Sequence, residues 1–456
     1  MSAKASTLQS RRHFLALGAT AAAGFASQRR MIFGQAVDRP NVLIVLSDQE
    51  TELIARSLLN IPHRTELEQS GIRFTQAVCA APQCSPSRGS IMTGLYPHQS
   101  GVVTNVNPGS LGRALSTRLA TIGHVFRSAG YSTGYLGKWH LGNQDHGLED
   151  YGFSGFRLDN GSPLDGDALA EAASQWILRQ SSQPWLLVAS FNNPHTIYDV
   201  PDQLHSIQIR QGVTLPTNFS DNLAQKPLPQ RQFLTKDQGK ISLAWTNDDW
   251  LRYRSYYLTL IETVDQNLGT IVNMVKQRGD LENTIVVYSS DHGDMGGSHH
   301  LPFKGPFMYE ELLRVPLMIS YPRLIHRPVI SPSQVSSIDI LPTLASLAGI
   351  PAPDGLSGKD LSSLLEDPEH IIHASVFPEY YAKQHWVNPI RTIRTDHWKY
   401  NTYVVPGQIV SEELYRLDNM QGELQNLVGD QAFAEIRSGL SNNLLQWRQA
   451  THDPLL

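Results

Sequence analysis

Cysteine is scarce in this chain of 456 residues, which contains only Cys79 and Cys84. The pair leaves two general interpretations open: a disulfide that closes a small loop in an exported protein, or two buried thiols. The count alone does not distinguish them, so the residues that surround Cys84 decide between them.

Basic tracts are also absent, since 37 Lys and Arg residues are outnumbered by 42 Asp and Glu residues, for a net charge of −5. This balance excludes nucleic-acid binding as the main function. Beyond the N-terminus no apolar run is long enough to span a membrane, and there is no internal repeat or low-complexity tract. With 41% hydrophobic residues, the composition is typical of a globular protein with a large core. The length predicts two domains, or one large domain with a smaller appendage.

The N-terminus has the features of a targeting segment. A twin-arginine pair, Arg11 and Arg12, precedes an Ala-rich apolar run over 15–26 that is too short to cross a bilayer. We predict a twin-arginine signal peptide over 1–36, with cleavage after Ala36 or nearer the end of the apolar run. The alternative is an amphipathic or fraying terminal helix. Export through the twin-arginine machinery predicts a periplasmic or secreted protein with no stable membrane insertion.

Three short apolar runs predict strands that are buried on both faces, as in a parallel sheet. They span 40–46, 185–190 and 284–289, and ligand-type side chains follow each run. In open α/β sheets, sites form at the carboxyl ends of strands. The pattern therefore predicts an α/β fold with a site at that edge, formed by the residues that follow the three strands: Asp48, Gln49, Asn192, Asn193, His195, Asp291 and His292.

The remaining segments predict the domain organisation. Helical spacing of apolar residues indicates helices over about 119–129, 250–276 and 338–350. The stretch 200–245, rich in Gln, Pro, Ser and Thr, is predicted to be a long loop or insertion that shapes substrate access. Beyond about residue 370, strand-like segments and a helical tail over 432–448 predict a smaller α+β domain. We therefore expect a catalytic domain over 37–370 and a C-terminal subdomain over 371–456.

Two pairs of ligand-type residues could hold a divalent cation. Asp48 and Gln49 follow the first strand, and Asp291 and His292 follow the last. Carboxylate and amide oxygens with one imidazole suit Ca²⁺ or Mg²⁺, or a harder transition ion such as Mn²⁺. Taken singly, an Asp at a strand end is more often a turn or cap residue, so the pairing of the two ends carries the prediction.

The string GKWHLG places Lys138 and His140 two residues apart. On an extended segment such residues face the same side. A lysine can neutralise an anion, and a neighbouring histidine can move a proton near neutral pH. The alternative for the isolated string is an exposed turn with a surface lysine and histidine.

Four strings together carry a family resemblance: RPNVLIVLSDQ from Arg39, CSPSR from Cys84, GKWHLG from Gly137 and SSDHGDMGG from Ser289. The chain resembles the type I, formylglycine-dependent sulfatases of the alkaline phosphatase-like superfamily. The resemblance implies a large, mostly parallel mixed β-sheet sandwiched by helices, with a smaller C-terminal α+β domain that has an antiparallel sheet. It also implies that a maturation enzyme converts Cys84 to formylglycine, which leaves Cys79 as a buried structural thiol.

The resemblance implies a role for each site residue. One Ca²⁺ would be held by Asp48, Gln49, residue 84, Asp291 and His292. Arg88, Lys138 and Lys304 would stabilise the sulfate and the formylglycine, His195 would protonate the leaving alcohol, and His140 would take a proton from the second hydroxyl of the hydrated aldehyde. Without the resemblance, His195 is a loop histidine and Lys304 a solvated lysine. Gln49 and His292 replace residues more familiar in the family, and this form resembles choline sulfatase-like and phosphonate monoesterase-like members.

The function expected from these residues is hydrolysis of a sulfate ester, with a sulfated carbohydrate favoured over a small aryl ester because the chain is predicted to be exported. One alternative is a phosphate or phosphonate monoester hydrolase of the same fold. Another is an inactive binding or scaffold homologue. Four further polar residues are expected to be structural or peripheral: His98, Asp294, His299 and His300. The alternative for the pair His299 and His300 is contact with a substrate.

Overall fold

The computed structural model describes residues 39–145, 147–158, 165–181, 183–418 and 422–456. The signal peptide predicted over 1–36 lies outside these residues. None of the described helices is both long and apolar enough to cross a membrane.

The centre of the fold is an eight-stranded sheet in the described part of the chain, in the order β4-β3-β5-β1-β6-β7-β2-β8. Only β7 runs antiparallel to its neighbours β6 and β2. This architecture confirms the predicted mostly parallel sheet. The strands are β1 Asn41–Asp48, β2 Gly71–Val78, β3 Ser132–Gly137, β4 Gly155–Arg157, β5 Trp185–Pro194, β6 Thr284–Ser290, β7 Leu317–Ser320 and β8 Val329–Ser336.

Apolar residues of β1 alternate between two separate core layers. Val42, Ile44 and Leu46 belong to one hydrophobic cluster, and Leu43 and Val45 belong to the other. All five side chains are fully buried, because helices cover both faces of the sheet. This double burial is the reason that the strand reads as a continuous apolar run rather than an alternating one.

Helices fill the two layers on either side of the sheet. The first layer uses Cys84–Thr93, Ile122–Ser128 and Ile340–Leu347. The second uses Gly166–Leu178 and the long helix Asn247–Gln277. The remaining helices are Pro62–Glu68, Pro97–Ser100, Leu228–Lys236, Glu310–Leu313 and Ala434–Ala450.

Two of the predicted segments differ from the structure. The helix expected from residue 119 begins at Ile122, because the Thr121 hydroxyl accepts a hydrogen bond from the His124 amide and caps it. The segment 200–245 is not a plain loop: it contains the helix Leu228–Lys236 and the 3₁₀ turns of Gln238–Ala244. Its Pro and Gln residues are compatible with a helix start and a half-buried helix face, which composition alone does not reveal.

A four-stranded antiparallel sheet follows, in the order β12-β11-β10-β9. Its strands are β9 Glu379–Lys383, β10 Trp386–Arg394, β11 Trp398–Val405 and β12 Gln408–Arg416. The helix Ala434–Ala450 packs its Leu440, Leu444 and Trp447 side chains against this sheet. The C-terminal α+β fold is thus as predicted, although the domain boundary at residue 370 stays a prediction.

Buried ion pairs attach the end of the C-terminal helix to the sheet. Both oxygens of Asp453 accept hydrogen bonds from Arg391 of β10, at 2.9 and 2.8 Å, and Arg448 donates a third at 2.7 Å. Burial raises the pKa of Asp453, but the two guanidinium groups outweigh it and hold the pKa at about 2. The carboxylate therefore stabilises the fold above its unfolded pKa of about 3.9, and this contribution is lost as the pH falls towards 2.

We expect Asp453→Asn to lower the free energy of unfolding at pH 7 by about 2 kcal/mol, because Arg391 and Arg448 lose the carboxylate that they share and Arg391 keeps only Glu379, at 3.4 Å. The loss should shrink below pH 4. Urea denaturation at pH 7 and pH 3 measures both effects. Glu66→Gln, which removes one partner of an exposed pair with Lys276, is the control and should cost no more than about 0.5 kcal/mol.

Candidate active site

Neighbouring strand ends bring two carboxylates together. In the register of β1 and β6, Ser47 lies opposite Ser290, so Asp48 and Asp291 follow side by side. Asp48, Cys84, Asp291 and His292 each offer a ligand atom, and these atoms all lie within 4.8 Å of one another. All four residues are buried. The structure therefore assembles four of the five predicted metal ligands in one cluster.

Cys84 is the first residue of the helix Cys84–Thr93, whose residues are all buried. Its Sγ lies 3.8 Å from Asp48 Oδ1 and 3.3 Å from His292 Nε2. A helix N-terminus favours negative charge through its free amide groups and dipole. Burial and Asp48 raise the pKa of the Cys84 thiol, but Lys304, Lys138 and His292 outweigh them, so the pKa lies well below its usual value. Residue 84 thus occupies a position that stabilises an anionic oxygen or sulfur.

Arg88 lies one helical turn after Cys84 and bridges the two carboxylates. Its Nε donates to Asp291 Oδ2 at 2.8 Å and one terminal nitrogen donates to Asp48 Oδ2 at 2.9 Å. The other terminal nitrogen donates to the Lys138 carbonyl and the Ser190 hydroxyl. These bonds direct the guanidinium away from the cavity described below. Arg88 therefore offsets the carboxylates as expected, but it does not reach towards a sulfate group.

The two carboxylates have opposite electrostatic surroundings. Burial raises the pKa of Asp48, but Lys138, His195 and Arg88 lower it well below the usual value. Burial and the nearby Asp48 charge raise the pKa of Asp291 to about 6. A cation bound between them would remove this repulsion.

Gln49, the fifth predicted ligand, has a positive φ of 76°. Its backbone amide donates to Asp291 Oδ1 at 3.0 Å, and its side-chain oxygen accepts a hydrogen bond from Lys304. Its side-chain amide donates to Asp294 Oδ2 at 2.7 Å. Asp294, expected to be peripheral, is fully buried and fixes the Gln49 side chain so that the oxygen points towards Lys304. The sequence did not reveal this role, because Asp294 acts by orienting Gln49, which lies 245 positions away.

The donor set fits a divalent cation. His292 Nδ1 lies 2.9 Å from the Gly293 carbonyl, which can only accept a hydrogen bond, so Nδ1 carries the proton and Nε2 is free to bind a metal. Asp48 and Asp291 each use Oδ2 for Arg88. Asp48 Oδ1 faces Cys84, and Asp291 Oδ1 accepts hydrogen bonds from the Gln49 and His292 amides. Asp48, Asp291, His292 and residue 84 would hold the ion, with Gln49 beside them.

The predicted sulfate-binding residues line one cavity of about 390 Å³ beside residue 84: Lys138, His140, His195 and Lys304. Lys138 Nζ lies 2.7 Å from Asp48 Oδ2 and donates to Asn192 at 3.2 Å. Lys304 Nζ lies 5.3 Å from the centre of the Tyr198 ring. The cavity thus presents the ammonium groups of Lys138 and Lys304 and two imidazoles beside the carboxylate cluster.

Lys138 and His140 share the cavity, but not for the reason expected from an extended segment. Strand β3 ends at Gly137, whose φ is 88° and where a Cβ would approach the Ser190 carbonyl oxygen to 2.2 Å. His140 then adopts a φ of 56°. This turn directs its ring to Asn107, with Nε2 2.9 Å from the side-chain oxygen. The buried Nδ1 has no hydrogen-bond partner among the described residues, so it is available to a bound group.

His195 follows β5, and its ring packs against Tyr198 with the ring centres 4.8 Å apart and the planes tilted by 33°. Its ring interacts with the Cys84 thiol. Burial, followed by the charges of Lys138 and Lys304, lowers the pKa of His195 to about 4. The imidazole is therefore neutral at pH 7 until a bound anion offsets the two lysines.

The other histidines named in the sequence have structural partners. His98 pairs with Glu379 at 2.9 Å, and His299 pairs with Asp221 at 2.7 Å. His300 packs between Phe219 and Trp250. Both cysteines are free and buried, and Cys79 donates to the Leu312 carbonyl at 3.4 Å, as expected for a structural thiol.

The fold and the site define an enzyme with the alkaline phosphatase-like architecture. The family model described as Sulfatase matches residues 40–350, and the model described as N-sulphoglucosamine sulphohydrolase, C-terminal, matches residues 297–450. The chain belongs to the sulfatase family, which makes it a sulfuric ester hydrolase.

The relatives agree with this membership, and solved structures share the fold. The uncharacterized sulfatase YidJ of Escherichia coli is 31% identical over 91% of this chain and 88% of its own length. The Delta 4,5-hexuronate-2-O-sulfatase of Bacteroides thetaiotaomicron is 25% identical over 88% and 87%. The structure of a 2-O GAG sulfatase has a TM-score of 0.78 at 24% identity, covering 91% of this chain and 93% of the other. The phosphonate monoester hydrolase of Agrobacterium radiobacter has a TM-score of 0.74 at 23% identity, covering 91% and 96%.

Replacing Lys304 should change the protonation of His195. Lys304→Met removes one of the two ammonium groups that, after burial, lower the pKa of His195 to about 4. We expect the pKa to rise towards 6.5 without reaching it, because burial and Lys138 remain. NMR titration of the imidazole nitrogens in the metal-free protein measures the shift. Lys236→Met, which removes an exposed lysine outside the cavity, is the matched control. An unchanged pKa in Lys304→Met would contradict this electrostatic account.

Proposed function

We propose that this enzyme hydrolyses a sulfate ester of a carbohydrate, using a formylglycine made from Cys84 and a divalent cation. The observation that carries the proposal is the position of residue 84, between a buried cluster of metal-ligating atoms and a cavity lined by lysines and histidines. A sulfate ester needs both: positive charge around its oxygens and a nucleophile held in line with the sulfur. The name of the hexuronate sulfatase relative supports a carbohydrate as the alcohol.

The formylglycine hydrate supplies a nucleophile with a second hydroxyl on the same carbon, and the cation supplies positive charge beside it. Around them, Lys138 and Lys304 bind the sulfate oxygens. Arg88 keeps the Asp48 and Asp291 carboxylates charged and oriented.

His195 is the proton donor to the leaving alcohol in this proposal. Its pKa of about 4 in the free protein results from burial and then from Lys138 and Lys304. A sulfate bound between the two lysines offsets their charge, raises the pKa of His195 and lets the ring take up a proton as the substrate binds. His140 faces the same cavity with an unpartnered Nδ1 and accepts the proton from residue 84 that releases sulfate.

Export and maturation complete the proposal. The twin-arginine pattern at Arg11 and Arg12 supports transport of the folded protein to the periplasm or beyond. Cys84 lies in a fully buried helix, so the maturation enzyme would reach it before folding is complete. Conversion to formylglycine would then precede export.

Modification of Cys84 can be tested by mass and by rate. In protein produced with the maturation enzyme, the peptide containing residue 84 should be about 18 Da lighter than its sequence mass, because an aldehyde replaces the thiol. This protein should hydrolyse 4-nitrophenyl sulfate at least about 1,000-fold faster than Cys84→Ala. Cys84→Ser lacks the second hydroxyl and should accumulate as a sulfated protein. Steady turnover by Cys84→Ser would exclude this route.

The same assay separates the sulfatase from a phosphonate monoester hydrolase. Matched aryl sulfate and aryl phosphonate monoesters both carry one negative charge, so charge alone does not separate them. We expect kcat/KM to favour the sulfate, because the Lys138–His140 string resembles the sulfate pocket of the family. A higher kcat/KM for the phosphonate would assign the activity to the alternative. No turnover of either ester by modified protein would favour an inactive homologue.

Removing the cation by chelation should abolish turnover, and replacing one of its ligands should weaken cation binding. After chelation, we expect Ca²⁺ to restore turnover at lower concentration than Mg²⁺ or Mn²⁺, given the oxygen-rich ligands. Asp291→Asn should raise the calorimetric dissociation constant for Ca²⁺ by about 10-fold or more. Glu52→Gln, at a largely buried carboxylate outside the cluster, is the control and should not change it. Full activity in the chelated protein would refute the metal requirement.

A further inference from the structure

The cavity beside residue 84 has more positive charge than a sulfate ester requires. Its third lysine is Lys383, and the remaining described lining residues are histidines, amides, tyrosines, proline and glycine, with no carboxylate among them. Lys138 is paired with Asp48 at 2.7 Å, and Lys304 is hydrogen-bonded to the neutral Gln49 side chain. A sulfate ester carries one negative charge, which Lys138, Lys304 and the proposed cation suffice to bind. Lys383 also has a carboxylate partner, Asp237, but Asp237 does not line the cavity, so Lys383 can meet a different group there.

Strand β9 fixes the position of Lys383 relative to residue 84. The carbonyl of Ala382 accepts hydrogen bonds from the Gln83 side chain at 3.1 Å and from the Thr104 hydroxyl at 2.6 Å. Gln83 directly precedes Cys84, so the strand that carries Lys383 is attached to the start of the catalytic helix. The C-terminal sheet thus holds the Lys383 ammonium group in a fixed position relative to residue 84.

The present partner of Lys383 contacts it from outside the cavity. Its ammonium lies 2.5 Å from Asp237 Oδ2, and the side chains of Lys383 and Asp237 are 18% and 28% exposed. Asp237 does not line the cavity that Lys383 lines. Burial lowers the pKa of Lys383, Asp237 opposes this shift, and the charge of Lys304 adds to it. Because Asp237 contacts Lys383 from outside the cavity, a substrate anion inside the cavity could share the ammonium group with it.

Two unpartnered polar atoms nearby suit hydroxyl groups. Gln83 Oε1 and the Tyr380 hydroxyl are buried, belong to residues that line the cavity, and have no hydrogen-bond partner among the described residues. Their residues are 5% and 3% exposed. A buried acceptor and a buried hydroxyl without partners are unfavourable unless a ligand satisfies them. A sugar hydroxyl can donate a hydrogen bond to Gln83 Oε1 or accept one from the Tyr380 hydroxyl, whereas an alkyl or aryl group can do neither.

We propose that the alcohol esterified with sulfate carries a second anionic group, a carboxylate or another sulfate, and that Lys383 binds it. This inference rests on the proposed sulfatase activity and narrows its substrate to an acidic or multiply sulfated sugar. A quaternary ammonium alcohol is disfavoured, because it would face the charges of Lys138, Lys304 and Lys383. Lys383 is thus a specificity-determining residue rather than a catalytic one.

The test compares matched substrates that differ in one charge. The probes are monosulfated methyl glucosides, the corresponding monosulfated methyl glucuronosides, and disulfated methyl glucosides, each as a set of regioisomers. The measured quantity is the ratio of kcat/KM for each anionic probe to that for its neutral counterpart. The glucuronoside and disulfated arms distinguish a carboxylate from a second sulfate. Turnover of 4-nitrophenyl sulfate is measured in parallel, as an independent check of the sulfatase activity.

We expect the modified enzyme to prefer one anionic series, and Lys383→Met to lower that ratio by about 10- to 100-fold, mainly through KM. Lys383→Arg should retain most of the preference. Asp237→Asn keeps the lysine and frees its charge, so it should raise the ratio by about threefold; this variant decides the matter if Lys383→Met does not fold. Lys236→Met, beside Asp237 but outside the cavity, should not change the ratio.

Other outcomes overturn the inference. A preference for the neutral glucosides would contradict the inference, and so would a kcat/KM ratio that is the same in Lys383→Met and the unsubstituted enzyme. Either result would show that Lys383 pairs with Asp237 and does not bind a substrate anion. An equal loss on neutral and anionic probes would indicate a general structural effect. If 4-nitrophenyl sulfate and every sugar sulfate are inert to modified protein, the proposed sulfatase activity itself fails.

Discussion

The site depends on one buried interaction, the bridge that Arg88 forms between Asp48 and Asp291. The guanidinium is 1% exposed, and the two carboxylates that it joins at 2.9 and 2.8 Å are fully buried. Two carboxylates at adjacent strand ends would otherwise repel each other in a medium of low dielectric constant. Because Arg88 lies one turn after Cys84, a single helical turn supplies both the reacting residue and the counter-charge that keeps the carboxylates in place.

Residue 84 lies among groups of opposite charge. Asp48 Oδ1 and His292 Nε2 face Cys84, and Asp291 completes this cluster. The neighbouring cavity contributes Lys138, which also contacts Asp48, together with Lys304 and Lys383. A cation suits the cluster and an anionic ester suits the cavity, so residue 84 can be activated by the one and meet its substrate in the other.

Much of the central sheet could be predicted because β1, β5 and β6 are covered by helices on both faces, and such strands read as uninterrupted apolar runs. The segment 200–245 was harder, since its helix Leu228–Lys236 has few buried residues and little apolar periodicity. Lys138 and His140 line the same cavity because Gly137 and His140 have positive φ angles. The prediction assumed an extended backbone, in which these angles do not occur.

The sequence by itself determined which chemistry is possible, because separate local strings supply the reacting cysteine, the ligand pairs and the Lys/His pair, each recognisable within a few residues. Only the tertiary structure decided how these groups are oriented and what else they meet. Asp294 fixes Gln49, and Lys383 joins the cavity through the Gln83–Ala382 hydrogen bond, across about 300 positions of sequence. Such contacts depend on how two sheets pack, and packing between distant segments leaves no local pattern in the chain.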